Sequence, residues 1–169
     1  MSKSILQYIL ITAVLVLAQV LICNHIMIFN VATLFIFIYV IINLPLSLPT
    51  GWLLTWAFLS GLIVDIFSDT LGVNALACTV LAMVKKPVFY AYIPKDDRTK
   101  DILPSLSSLG FSVYAKYLLS MTAIYCLLVF SIEYMSIADI KEIAIMSAGS
   151  ALFTFLILIG LDSLLDRKN

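Results

Sequence analysis

Gly61-Leu-Ile-Val-Asp65-Ile-Phe-Ser-Asp69, followed by Thr70-Leu71-Gly72-Val73-Asn74-Ala75-Leu76, is the stretch on which the reading of this chain turns. It begins as an apolar helix, and residues four apart share a helical face, so Gly61, Asp65 and Asp69 are predicted to project together. A carboxylate within a hydrocarbon layer is costly, so this stripe is expected to face protein, water or a partner. The Asp69-Thr70-Leu71-Gly72 run has turn chemistry, which favours an end-capping role for Asp69. Asp65 lies deeper and keeps two readings: a residue that holds the bundle together, or a site that receives a partner.

Working outward, the composition says where this helix lives. Of 169 residues, 63% are hydrophobic and 12% charged, and the mean hydropathy is +1.11, far from the mix of a soluble domain. The expected fold class is all-α and integral to the membrane: one domain over residues 1–169, a compact bundle of about six transmembrane helices. The apolar segments fall at about residues 5–23, 28–46, 52–67, 73–84, 111–131 and 143–165. Asn24-His25 separates the first two, and Pro45-Leu-Ser-Leu-Pro49-Thr-Gly51 ends the second, because proline lacks an amide proton and disfavours helix in the residue before it. Lys85-Lys86-Pro87 interrupts the fourth, and residues 88–93 either continue that helix or lie along the interface. No soluble catalytic domain fits in what remains.

Basic residues near helix ends favour the cytoplasmic face. With the N-terminus inside, Lys3, Lys85, Lys86, Lys95, Arg98, Lys100, Arg167 and Lys168 fall in the cytoplasm, Lys116 reaches the same side, and only Lys141 is left outside. Both termini are therefore expected in the cytoplasm, with Asp65 and Asp69 toward the exterior. The first segment lacks a small-x-small cleavage site and reads as a retained anchor.

Several chemistries are disfavoured. Cys23, Cys78 and Cys126 stand singly in apolar surroundings, without the spacing of a disulfide framework or a zinc site, and His25 reads as an interfacial residue. No metal or other cofactor is expected. A net charge of zero with no basic aromatic surface gives no argument for nucleic acid. Membrane aspartyl proteases carry Gly-x-Gly-Asp with the second aspartate on another helix, whereas Gly61-Leu-Ile-Val-Asp65 has its companion on the same one. No serine elbow, His-Glu-x-x-His helix or phosphate-binding loop is present, so catalysis is not expected. In the last segment, Ala144 with Ala148 and Ser147 with Ala151 form small-x-x-x-small pairs that allow close helix approach.

Taken together, the size, the six apolar segments, the basic connection after the fourth and the Gly61, Asp65, Gly72-Val-Asn74-Ala-Leu76 pattern resemble the MreD family of bacterial rod-shape-determining proteins. That resemblance implies a non-enzymatic inner-membrane component of the cell-elongation machinery. It would bind MreC and work beside RodA, a class B transpeptidase and MreB in directing lateral peptidoglycan synthesis and cell shape. It further implies a fold similar to the substrate-binding S-components of energy-coupling-factor vitamin transporters, and so supplies the alternative. As a scaffold, the chain would receive MreC in a groove near Asp65, while the loop Lys95-Asp-Asp-Arg98-Thr-Lys100-Asp101 would face MreB or simply solvent. As a transporter component, it would hold a small polar ligand near Asp65, Asp69, Asn74 and Trp52 or Trp56. S-components couple through Ala-x-x-x-Ala on their first helix, whereas Ala13 and Ala18 are five apart.

Overall fold

A computed structural model describes residues 2–21, 27–28, 32–70, 72–93, 104–134 and 139–166. Helix α1 spans Ser2–Leu21, and a two-residue antiparallel ladder pairs β1 (Met27–Ile28) with β2 (Ala32–Thr33). There follow α2 (Ile38–Asn43), α3 (Thr50–Ser68), α4 (Val73–Tyr92), α5 (Leu106–Leu109), α6 (Phe111–Tyr134) and α7 (Ile140–Asp166). Four helices are long and apolar enough to cross a membrane, over Thr50–Ser68, Val73–Tyr92, Phe111–Tyr134 and Ile140–Ser163, and α1 adds the apolar run Tyr8–Leu21. The chain is thus a helical membrane protein. Its outward faces carry Leu10, Ile66, Phe67, Met83, Ile145 and Leu156, as contact with hydrocarbon requires.

Two helical hairpins organise the bundle. Helix α3 packs most extensively on α4, and α6 on α7; α4 joins the hairpins by packing on α6, while α1 leans more lightly on α3. Residues 88–92 continue α4 through Pro87 and Ile93 ends it in an extended conformation, so of the two alternatives left open by the sequence the helix continues. A proline there costs one backbone hydrogen bond, and the surrounding helix absorbs it.

The second apolar segment departs from expectation. Residues 28–46 do not form one helix: the chain is extended at Leu34–Ile36 and, among the described residues of this stretch, helical only over the six of α2. It is nonetheless deeply buried, with Phe37, Ile38, Ile41 and Ile42 at 0–1% exposure. Non-helical backbone in a membrane protein survives only where protein or water supplies its hydrogen bonds. Here protein does. Gln19 of α1, itself fully buried, donates from Nε2 to the Leu34 carbonyl at 2.8 Å and accepts the Ile36 N–H on Oε1 at 2.8 Å. On the opposite edge, Thr33 N–H donates to Ser150 Oγ at 2.9 Å and Phe35 N–H to Thr154 Oγ1 at 3.2 Å. The match is geometric: two extended residues rise about 6.7 Å and four helical residues about 6 Å, so hydroxyls one turn apart on α7 meet alternate amides of the strand. Apolar periodicity cannot reveal this arrangement, because an all-apolar run reads alike as buried helix or buried strand.

The small residues of α7 divide accordingly. Ser147 and Ala151 face inward with Ser150 and Thr154, whereas Ala144 and Ala148 are exposed. Cys78 and Cys126 are buried free thiols. Cys23, His25 and the Lys95–Asp101 loop lie outside the described residues.

Candidate functional site

The α3–α4 turn gathers most, but not all, of the stretch that opened the sequence reading. Asp65 is 2% exposed and points at the first turn of α4 rather than outward. Its Oδ1 accepts hydrogen bonds from the Thr70 hydroxyl at 2.5 Å, the Asn74 N–H at 3.0 Å and Asn74 Nδ2 at 3.0 Å, and its Oδ2 accepts the Ala75 N–H at 2.7 Å. A helix leaves its first four amide protons without intrahelical partners, and a carboxylate placed before them also meets the positive end of the helix dipole. Asp65 therefore caps α4 from the neighbouring helix. The position preceding α4, Gly72, has no side chain to do so and sits at φ 80°, a left-handed conformation that suits glycine.

Gly61 makes that reach possible. A Cβ there would stand 2.6 Å from the Asn74 carbonyl oxygen, 2.7 Å from Ala75 Cα and 2.8 Å from Ala75 N. Helix α4 thus begins directly against the glycine, one turn below the carboxylate. Asn74 then carries the cluster inward, because its Oδ1 accepts the hydroxyl of buried Tyr125 on α6 at 2.5 Å. The Tyr125 ring meets Phe35 and Phe37 edge-on, at centroid distances of 5.1 and 5.9 Å. The α3–α4 turn is in this way tied to the extended segment.

Asp69 does not join its helical companions. Helix α3 ends at Ser68, Asp69 turns to φ 56° and ψ 34°, and its side chain is exposed. The backbone carbonyl of Asp65 accepts both the Asp69 N–H and, at 3.1 Å, the Thr70 N–H. The expected three-residue stripe breaks for that reason: periodicity stops where the backbone goes left-handed. Asp69 is a turn residue, as its local sequence indicated. Asp69→Gly is accordingly expected to leave thermal stability within ~1 kcal/mol of wild type, on the neutral or stabilising side, because glycine carries no penalty in that conformation. A larger loss of melting temperature in mild detergent would show that the carboxylate does more than turn the chain.

A second polar group, which the sequence reading did not single out, lies around α2. Tyr39 donates to Asp162 Oδ1 of α7 at 2.5 Å, and Tyr114 of α6 donates to Asn43 Oδ1 at 3.2 Å. Asp162 is 3% exposed. Its only sequence signal was a carboxylate in the apolar run 143–165, the same signal that drew attention to Asp65. Lys85, expected on the cytoplasmic side, is completely buried. Of the tryptophans considered as ligand contacts, Trp52 is exposed and Trp56 donates to Thr12 Oγ1 of α1 at 3.2 Å.

A recess of about 340 Å³ opens between α1 and α3. Ile9, Val16, Leu17 and Val20 line one wall and Ile63 and Phe67 the other, and its surface is apolar. Among the described residues no three His, Cys, Asp or Glu side chains gather as a metal site would need. No family model matches the chain, and neither a curated protein nor a solved structure matches it.

Proposed function

We propose that this chain is a non-enzymatic scaffold of the bacterial inner membrane, an MreD-like component of the cell-elongation complex that binds MreC and helps direct lateral peptidoglycan synthesis and cell shape. RodA, a class B transpeptidase and MreB are its further partners in that complex. Both termini lie in the cytoplasm in this reading. It keeps the sorting of basic residues even without Lys85, since Lys86 and the other inner-side charges still outnumber Lys141.

The observation that carries the proposal is how the polar side chains are used. Asp65, Asn74, Gln19, Ser150 and Thr154 spend hydrogen bonds on this chain's own backbone and side chains, and the recess beside α1 is apolar. Such a molecule is built to present shape to another membrane helix. The recess borders α1 from Ile9 to Val20 and α3 from Trp56 to Phe67, about 16 Å or three helical turns on each wall. That length matches three turns of a partner helix, and we assign the recess to the transmembrane or juxtamembrane part of MreC. A vitamin-binding component would need polar groups turned toward an open cavity, and the cluster at Asp65 is closed.

Purification of the tagged protein from native membranes in mild detergent is expected to recover MreC and the elongation synthases. In a background lacking Cys23, Cys78 and Cys126, Leu17→Cys and Ile63→Cys are expected to crosslink to MreC, and Leu156→Cys on α7 to crosslink several-fold less. Recovery of paired ATPases with a coupling membrane subunit would replace the scaffold by the transporter component. MreC recovered with crosslinking strongest at Leu156 would keep the partner and move its docking face.

A further inference from the structure

We propose that Lys85 is a tethered monovalent cation, which sits between two backbone carbonyls at the C-terminal end of α2 and so fixes the end of that helix. Helix α2 is only six residues long and stops before Pro45, which offers no N–H to the preceding turn. The last carbonyls of any helix lack intrahelical partners, and in a buried helix each must be supplied with a donor. Their accounting is visible. Val40 O accepts the Leu44 N–H at 2.9 Å, and Ile42 O accepts the Tyr117 hydroxyl at 3.1 Å. Lys85 Nζ donates to Ile41 O at 2.9 Å and also to the carbonyl of Leu44.

Two features distinguish this amine from a side chain that merely packs. The residue is 0% exposed, and the Ile41 and Leu44 groups to which it donates are backbone carbonyls at the negative end of a helix dipole, the surroundings in which proteins hold small monovalent cations. The adjacent Lys86 repeats the pattern one step nearer the surface, donating to Leu48 O at 3.3 Å. The consecutive lysines therefore secure successive parts of the same descending backbone. This assignment is independent of the scaffold reading, since it concerns how residues 41–48 are held.

The test is chemical rescue in the full-length protein. Lys85→Ala is expected to lower the melting temperature in mild detergent by roughly 6–12 °C. Added methylammonium, ethylammonium or propylammonium should restore part of that loss with an optimum in size, whereas tetramethylammonium, which has no N–H, should restore none. Recovery independent of amine size, or equal recovery with tetramethylammonium, would overturn the proposal. If Lys85→Ala yields no folded protein, Lys85→Arg and Lys85→Met are compared. Arginine retaining the higher melting temperature supports a tethered cation, and methionine matching or exceeding it refutes one.

Discussion

Asp65→Leu is expected to destabilise the folded protein by about 3–5 kcal/mol, enough to deplete it from the membrane, because four donors then lose a common acceptor in a site closed to water. The leucine fills a similar volume and satisfies none of the Thr70 hydroxyl, the Asn74 and Ala75 amides and the Asn74 side chain. Asp65→Asn keeps one acceptor oxygen but turns an NH2 toward donors, so its loss should be intermediate, about 1–3 kcal/mol. The ordering wild type, asparagine, leucine is checked by thermal unfolding in mild detergent together with protein abundance in membranes. This outcome separates the two roles left open by the sequence. If Asp65→Leu melts like wild type yet no longer captures MreC, the carboxylate is a partner contact; if capture falls in step with folded protein, it is the cap of α4.

Gly61→Ala carries the second large effect, through sterics rather than hydrogen bonding. The added methyl would meet backbone atoms of Asn74 and Ala75 at 2.6–2.8 Å. Backbone in the first turn of a helix cannot rotate aside as a side-chain tip can. Helices α3 and α4 must part, at a cost of about 1–3 kcal/mol for alanine and more for valine. Parting also lengthens the bonds from Asn74 and Ala75 to Asp65, so Gly61→Ala combined with Asp65→Asn should destabilise by less than the sum of the two alone. Gly160→Ala is the matched control. No atom lies within 4 Å of a Cβ at that position, so the same substitution there should be neutral or stabilise by up to about 1 kcal/mol. Equal melting temperatures for the two alanine variants would contradict the close approach at Gly61.

The same physics explains what was legible in advance. The apolar runs at 52–67, 111–131 and 143–165 became α3, α6 and α7 within a few residues at each end, because hydrocarbon enforces helix on a chain that must satisfy its own backbone. Gly61, Asp65, Gly72 and Asn74 could be singled out for a related reason: a carboxylate and glycines are conspicuous against lipid-compatible sequence. Asp69 was equally conspicuous, and its turn context correctly marked it as the end of the helix although helical spacing alone placed it beside Asp65.

The segment 28–46 shows where sequence stops. Its composition demands burial and says nothing of conformation, which was decided by donors and acceptors far away in the chain: Gln19 on α1, Ser150 and Thr154 on α7, and Lys85 on α4. Lys85 illustrates the same limit, since a lysine two residues before a proline reads as a boundary charge until a helix end is found waiting for it. Residence in a membrane, the runs that became α3, α6 and α7 and the carboxylate that needs a partner follow from the sequence alone, because they express the local cost of exposing polar groups to lipid. Tertiary structure alone decided that Asp65 caps α4 and that the segment 28–46 is not one helix, because the bonds to Asp65 form only where α3 and α4 fold onto each other and those of the segment come from residues 15 to 119 positions away.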